Sequence, residues 1–144
     1  AAAGARQVTA IDRAAPALAL AEKAAEGMGT AGRCSFVQGE AFAELERRAT
    51  DGERFEIVVA DRRQGYRKLA RLCADVSAEN GILALACCSH HVPAGDFAAA
   101  TARGIWDAGR TARLVHSAGA DADHPVHPML PESAYLKFLV YALD

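Results

Sequence analysis

The sequence lacks an excess of charge of either sign, a long apolar run and a regular pattern of paired cysteines. Its 144 residues include 16 Lys or Arg and 18 Asp or Glu, which gives a formal net charge of −2. This balance supplies no global basic field that would attract nucleic acid or an anionic membrane, so contact with RNA needs a local patch or another domain. No apolar run reaches the roughly 18 residues that span a bilayer, so no membrane partner is expected.

Disulfide-stapled secreted proteins are also disfavoured. The chain has 4 cysteines, and two of them, Cys87 and Cys88, are adjacent, which does not resemble the disulfide framework of a small secreted domain. We therefore expect free thiols and a cytoplasmic location. Hydrophobic residues make up 51% of the chain, and its length is typical of one domain with a packed core.

Short apolar runs rich in β-branched residues alternate with helix-forming segments. The runs predict strands at Val8–Ile11, Cys34–Val37, Phe55–Asp61, Gly81–Ser89, Arg110–Ser117 and Ala134–Leu143. Helices are predicted between them over residues 14–29, 41–52, 66–80 and 96–108. This alternation is typical of an α/β fold with a mostly parallel sheet. The apolar run over residues 55–59 predicts a strand buried on both faces. Trp106 in the fourth predicted helix is expected to pack in the core.

Polar residues follow the predicted strands at the edge where ligands of parallel sheets bind. Asp12 is placed either to accept a hydrogen bond from a ribose hydroxyl or to cap the helix that starts at Ala14. Glu40 either accepts from an adenine amino group or caps its own helix. Asp61 follows the most apolar strand, where a carboxylate is costly unless it is solvated or paired, and this favours a role in a site.

A nucleotide-binding sheet needs a first strand and a glycine-rich turn, and the sequence has neither ahead of Asp12. Only Gly4 lies close before Asp12, and residues 1–7 are typical of the end of a helix. A parallel sheet without its central strand would leave the neighbouring strands uncovered. We therefore expect further residues before Ala1.

Five strings of residues together resemble one enzyme family. They are VTAIDRAAPALALAEKAAEGMG, FEIVVAD, GYRKLARL, GILALACCSHH and DHPVHPMLPESAYLKFLVYAL. The chain is similar to class I S-adenosylmethionine-dependent methyltransferases, and more narrowly to the bacterial large-subunit (23S) rRNA cytosine-5 methyltransferase family. The resemblance implies a Rossmann-like sheet of seven strands with helices on both faces and an antiparallel last strand. It also implies that residues 1–144 are part of a catalytic domain that follows an RNA-binding domain and a β-rich linker domain.

The resemblance implies a cysteine nucleophile. Its thiolate adds to C6 of a cytosine, so that C5 can take the methyl group of S-adenosylmethionine, and the cysteine is then expelled. Cys88 matches the cysteine of the family's Cys-Ser-His-His string, whereas Cys87 points to the opposite face of the strand. The alternative is that both are ordinary buried thiols. Asp61 would hold the N3/N4 edge of the cytosine, and the residues assigned to the cofactor are Asp12, Glu40, Ala41 and Asp61.

The chain departs from the family pattern after Asp61. The family has Asp-Pro-Pro-x-Phe and a loop there, whereas Asp61 is followed by Arg62, Arg63 and Gln64 and then directly by Gly65. The difference falls at an active-site loop, a part of an enzyme that is often mobile. We expect the complete protein to carry this loop.

Residues that face the RNA are predicted from a local basic cluster and from the family's last motif. The candidates are Arg62, Arg67, Lys68, His90, His91, His127 and Tyr135. The basic residues either contact phosphates or form a solvated helix face. The adjacent histidines either tune the thiolate or touch phosphate, or else they form a solvated helix start. Adjacent cysteines and histidines cannot all converge on one zinc ion, so no metal is expected. The family resemblance allows a homodimer.

Two other functions remain open at this point. One is a methyltransferase with the same cofactor but another RNA position or a small molecule as acceptor. The other is a non-catalytic Rossmann-like domain of an RNA-binding protein. Stabilisation by S-adenosylhomocysteine separates the enzymes from the scaffold, and a covalent adduct with 5-fluorocytosine RNA separates cytosine-5 chemistry from the rest.

Overall fold

Strands and helices alternate along the chain in the computed structural model, which describes residues 4–61, 65–122 and 124–144. The strands are β1 (Val8–Asp12), β2 (Cys34–Gln38), β3 (Phe55–Asp61), β4 (Ser77–Cys87), β5 (Ala112–Ala118) and β6 (Lys137–Leu143). The α-helices are α1 (Ala15–Gly27), α2 (Ala41–Thr50), α3 (Tyr66–Asp75) and α4 (Ala94–Asp107). None of the helices in these ranges is both long and apolar enough to cross a membrane.

The chain divides into two compact units, Ala1–Arg47 and Arg48–Asp144. In the first unit, β1 and β2 form a parallel pair in which Val8 lies opposite Cys34 and Asp12 opposite Gln38. A proline in the first turn of α1 is compatible with the helix, because the first turn leaves backbone N–H groups unbonded in any case. The unit therefore presents the carboxyl ends of two neighbouring parallel strands at one edge.

The second unit contains a mixed sheet with the strand order β3-β4-β6-β5. β3 runs parallel to β4, and β6 runs antiparallel to both β4 and β5. The antiparallel last strand expected from the sequence is therefore confirmed. The core lies between this sheet and helices α3 and α4. Its fully or almost fully buried side chains include Leu69, Leu72, Cys73, Val76, Leu83, Leu85, Phe97 and Ile105.

Helices α3 and α4 approach each other closely at Gly104. A Cβ atom at this position would lie 2.2 Å from the carbonyl oxygen of Arg67 and 2.8 Å from the Cβ of Ala70. Only glycine leaves room for backbone contact of this kind. The close packing holds α3, and with it the first residue of α3, Tyr66, against the rest of the unit.

The third helix is shorter than the sequence pattern predicts. It ends at Asp75 instead of continuing to Asn80, and β4 begins at Ser77 instead of Gly81. The hydroxyl of Ser77 donates to the carbonyl of Cys73 at 2.8 Å, and the N–H of Phe55 donates to the carbonyl of Val76 at 2.8 Å. The Ser77 hydroxyl and the N–H of Phe55 in β3 thus bond to two carbonyls that a longer helix would have used.

Two predictions about burial were wrong. Ile57 and Val59 of β3 are 63% and 68% exposed. They share one face of this edge strand, whereas Val58 and Ala60 on the opposite face are half-buried, so only one face of β3 is covered. Trp106 is 66% exposed. The buried stripe of α4 runs through Phe97, Thr101, Gly104 and Ile105, and Trp106 lies one helical step beyond it.

Candidate active site

In the first unit, Asp12 and Glu40 lie at the carboxyl ends of β1 and β2. The N–H of Gly39 donates to the carbonyl of Asp12 at 3.0 Å and extends the parallel ladder to the residue before Glu40. Asp12 Oδ1 accepts the N–H of Ala14 at 2.7 Å, and Glu40 Oε2 accepts the N–H of Phe42 at 3.0 Å. Glu40 thus caps α2, as in the capping alternative, whereas Asp12 binds the N–H of Ala14, the residue before α1, and makes no cap bond to the helix itself. A carboxylate has about four acceptor positions, so the bond to Ala14 leaves Asp12 able to accept from a ligand.

Ala41 is the first residue of α2 and is half-buried directly after Glu40. Its position brings the backbone at the start of α2 to the same edge as the two carboxylates. Three of the four residues predicted to contact the cofactor thus lie together in the first unit. The fourth, Asp61, belongs to the second unit.

In the second unit, Asp61 and Cys88 lie at the carboxyl ends of the parallel strands β3 and β4. Asp61 is paired with Ala86 in the register of the two strands, and Cys88 follows directly after β4. Strand β6 begins at the same edge, because Lys137 lies opposite Cys87. A carboxylate, a pair of thiols and a lysine are therefore grouped at one edge of the sheet.

The two adjacent thiols have different surroundings. The side chain of Cys87 is fully buried, and its Sγ lies 2.9 Å from the hydroxyl oxygen of Tyr66. Cys88 is only partly buried. A nucleophilic thiolate needs access to its substrate, which Cys88 has and Cys87 lacks. Burial raises the pKa of the core thiol Cys73 to about 12, which keeps it protonated.

Tyr66 was not assigned a role from the sequence, although it lies within the GYRKL string. Burial raises the pKa of its hydroxyl, and so does the hydrogen bond to Cys87. The hydroxyl is therefore neutral at physiological pH. It is hydrogen-bonded to the residue directly before Cys88. Only the fold reveals this, because the hydroxyl and Cys87 are 21 residues apart in the chain.

Lys137 is the second residue that the sequence reasoning missed. Its Nζ donates to the carbonyl oxygens of Ser89 at 2.6 Å and Tyr135 at 2.9 Å. Ser89 directly follows Cys88. The ammonium group is thus held next to the turn that carries Cys88.

The residues predicted to face RNA have varied surroundings. Arg67 forms a two-point ion pair with Asp107, at 2.5 and 3.0 Å, and this pairing lowers the pKa of Asp107. Lys68 is exposed on α3. The rings of His90 and His91 are stacked at a tilt, with centroids 3.7 Å apart. Arg62 lies outside the described residues.

His127 and Tyr135 belong to the segment that leads into β6. His127 Nδ1 accepts the N–H of Met129 at 3.2 Å, and the backbone N–H of His127 donates to Ser133 Oγ at 2.8 Å. The ring of Tyr135 meets the ring of His124 edge to face at 6.5 Å. These contacts are all made between residues of this segment itself.

A cavity of about 700 Å³ opens beside the turn after β4. Its polar lining includes His90, Ser117, Glu132 and Lys137, and its walls are otherwise mostly apolar. Cys88 and Asp61 are not among the residues that line it. A volume of this size is within the usual range for small-molecule sites. Among the described residues, no group of three or more His, Cys, Asp or Glu side chains is arranged to hold a metal ion.

Known proteins resemble this chain in sequence over nearly its whole length. No protein-family model matches the chain. The chain is 30% identical over 148 aligned residues to the ribosomal RNA large subunit methyltransferase I of Photobacterium profundum, and 29% identical to that of Klebsiella pneumoniae. Each alignment covers 93% of this chain and 37% of the relative, so the chain spans little more than a third of the length of these relatives.

Solved structures show the same fold at lower sequence identity. The crystal structure of SMU.776 complexed with SAH has a TM-score of 0.85 and 18% identity, covering 96% of this chain and 40% of that one. A SAM-dependent methyltransferase from Agrobacterium tumefaciens has a TM-score of 0.74 and 15% identity, covering 99% of this chain and 50% of that one. The chain therefore has the Rossmann-like fold of class I methyltransferases, and its sequence resembles large-subunit ribosomal RNA methyltransferase I.

Proposed function

We propose that the chain is the catalytic part of an S-adenosylmethionine-dependent methyltransferase that acts on C5 of a cytosine in large-subunit rRNA. The relatives named above, which are ribosomal RNA methyltransferases, support the enzyme class and the RNA substrate. The observation that carries the cytosine-5 chemistry is the position of Cys88. The residue is only partly buried and lies at the carboxyl end of β4, at the same edge as Asp61 at the end of β3.

Cytosine C5 is a weak nucleophile, and the chemistry assigned to Cys88 overcomes this. The thiolate Sγ adds to C6 and pushes electron density onto C5, which makes C5 enamine-like. Asp61 holds the N3/N4 edge of the ring and favours protonation of N3 during the addition. After C5 has taken the methyl group, loss of the C5 proton to a base and cleavage of the Sγ–C6 bond restore the ring and release Cys88.

The first unit supplies acceptors that fit the cofactor. Asp12 and Glu40 lie at the ends of neighbouring parallel strands, where carboxylates commonly accept hydrogen bonds from ribose hydroxyls, and Ala41 places the start of a helix beside them. When bound, S-adenosylmethionine supplies an electrophilic methyl group on a sulfonium centre. Asp12 and Glu40 hold and orient the adenosine end. The fourth residue assigned to the cofactor is Asp61, which belongs to the second unit.

RNA binding by this chain is expected to come from local contacts. The net charge of −2 gives little general attraction for RNA, and the relatives are much longer than this chain. Recognition of RNA by this chain is therefore proposed to depend on local contacts near the site and not on its overall charge. Near the site, Arg62, Arg67, Lys68, His90, His91, His127 and Tyr135 contribute local contacts. We also propose that the protein is cytoplasmic and forms a homodimer.

The experiment is a methyl-transfer assay on large-subunit rRNA with S-adenosylmethionine, followed by digestion to nucleosides. The expected product is 5-methylcytidine from the wild-type protein and none from Cys88→Ala. Cys34→Ala, which removes a half-buried thiol of β2, is the matched control and retains activity. Methylation of another nucleoside, or full activity of Cys88→Ala, would contradict the cytosine-5 mechanism.

A further inference from the structure

The turn that carries Cys88 is held from two sides by residues of other elements. On one side, the hydroxyl of Tyr66 in α3 is hydrogen-bonded to Cys87 Sγ at 2.9 Å. On the other side, Lys137 Nζ of β6 donates to the carbonyl of Ser89 at 2.6 Å. The two bonds are made to the residues immediately before and after Cys88. The nucleophile thus lies between two anchored neighbours.

The anchor at Tyr66 is rigid. The residue is 7% exposed, and its ring meets the ring of Phe97 edge to face, with centroids 5.0 Å apart. It begins α3 directly after Gly65, whose φ of 75° is a left-handed conformation that glycine adopts at low cost. Both the backbone and the ring of Tyr66 are therefore fixed where its hydroxyl reaches Cys87.

The anchor at Lys137 carries a charge. Lys137 begins β6 and is paired with Cys87 in the sheet register. Its half-buried ammonium makes a second bond to the carbonyl of Tyr135 at 2.9 Å, which offsets part of the cost of removing a charge from water. Hydrogen bonds from a charged donor are about twice as strong as neutral ones. The carbonyl after Cys88 is thus held by one of the stronger bonds at this edge of the sheet.

We propose that Tyr66 and Lys137 are positioning residues that clamp the turn 87–89 and fix the direction of the Cys88 thiol. Neither residue is assigned a contact with substrate. The kinetic test of the clamp rests on the proposed function, whereas the structural test does not. A nucleophile at the end of a strand must be held close to its attack position, because a displacement of about 1 Å can reduce the rate ~100-fold. The clamp supplies that constraint from two elements that are distant in sequence.

The kinetic test compares Lys137→Met and Tyr66→Phe with wild type in the methyl-transfer assay. Each variant removes the anchoring group and keeps most of the side-chain volume. We expect kcat to fall ~10-fold to ~100-fold while KM for the RNA changes less than about threefold, because positioning affects the reacting geometry more than binding. Lys137→Arg restores part of kcat, and Lys23→Met on exposed α1 is the matched lysine control. An unchanged kcat in both anchor variants would overturn the clamp.

The second test measures thiol accessibility and does not depend on activity. Iodoacetamide labelling, followed by peptide mapping with fragmentation, separates Cys73, Cys87 and Cys88. In wild type, Cys88 is expected to react while the fully buried Cys73 and Cys87 are protected. In Lys137→Met, loss of the clamp exposes Cys87 and leaves Cys73 in α3 protected.

The pattern of labelling separates a local clamp from general loosening. If Cys73 and Cys87 become reactive together in both anchor variants, or if Cys87 stays protected in both, the clamp is wrong. If wild type transfers no methyl group to cytosine, the proposed function fails. The labelling pattern still decides whether Tyr66 and Lys137 hold the turn.

Discussion

Replacing Gly104 by alanine is expected to force α3 and α4 apart. The added Cβ would lie 2.2 Å from the carbonyl oxygen of Arg67 and 3.0 Å from the backbone nitrogen of Arg71, so helix backbones have to move by roughly 1 Å to restore ordinary contact distances. Overpacking costs typically 1–3 kcal/mol, and close contact with backbone places this site near the upper end. The better helix propensity of alanine returns about 1 kcal/mol. The net loss of stability is therefore about 2 kcal/mol.

Thermal or urea unfolding measures this effect directly. A loss of about 2 kcal/mol lowers the Tm of a domain of this size by roughly 8 °C. Gly95→Ala in the same helix is the matched control, because no atom lies within 4 Å of its added Cβ. The control should leave stability unchanged or raise it by up to ~1 kcal/mol. Equal stability of Gly104→Ala and Gly95→Ala would refute the argument from close helix packing.

Two further predictions concern the other end of the second unit's sheet. The guanidinium of Arg110 donates to the carbonyls of Ala74, Ser77 and Ala78 and to Asp144, so Arg110→Met should destabilise the protein by ~2–3 kcal/mol in urea unfolding. Arg110→Lys should not rescue it, because an ammonium lacks the planar fork, and full rescue would count against this network. The hydrogen bond from Arg110 and the bonds from Thr111 lower the pKa of Asp144 to about 2. The pKa of Asp144 is lower in the folded than in the unfolded protein, so its contribution to stability is present above about pH 4 and is lost as the pH falls toward 2. A series of Tm values measured against pH should show this loss in wild type and not in Asp144→Asn.

The order of elements and the polar strand ends were predictable from the sequence. Alternating apolar runs and helical periodicity are local signals, and they suffice to place Asp12, Glu40 and Asp61 at the ends of strands. The antiparallel direction of β6 was predicted through the family resemblance. The fold adds that Asp12 accepts the N–H of Ala14 and that Glu40 accepts the N–H of Phe42 in the first turn of α2.

The residues that hold the turn after β4 were not predictable in the same way. Tyr66 meets Cys87 across 21 residues, and Lys137 meets Ser89 across 48 residues. Such contacts depend on strand register and on the close approach of helices, which composition and periodicity do not encode. The prediction for Trp106 failed for a related reason, since an apolar side chain does not itself specify which element covers it.

The identity of the nucleophile is the central claim, and a trapped adduct tests it most directly. RNA containing 5-fluorocytosine, incubated with the protein and S-adenosylmethionine, retains the Sγ–C6 bond because fluorine at C5 cannot leave as a proton does. Mass spectrometry with fragmentation of the peptide that contains both adjacent cysteines then locates the nucleotide. The account predicts the nucleotide on Cys88. A nucleotide on Cys87, or no adduct from protein that methylates cytosine at C5, would contradict it.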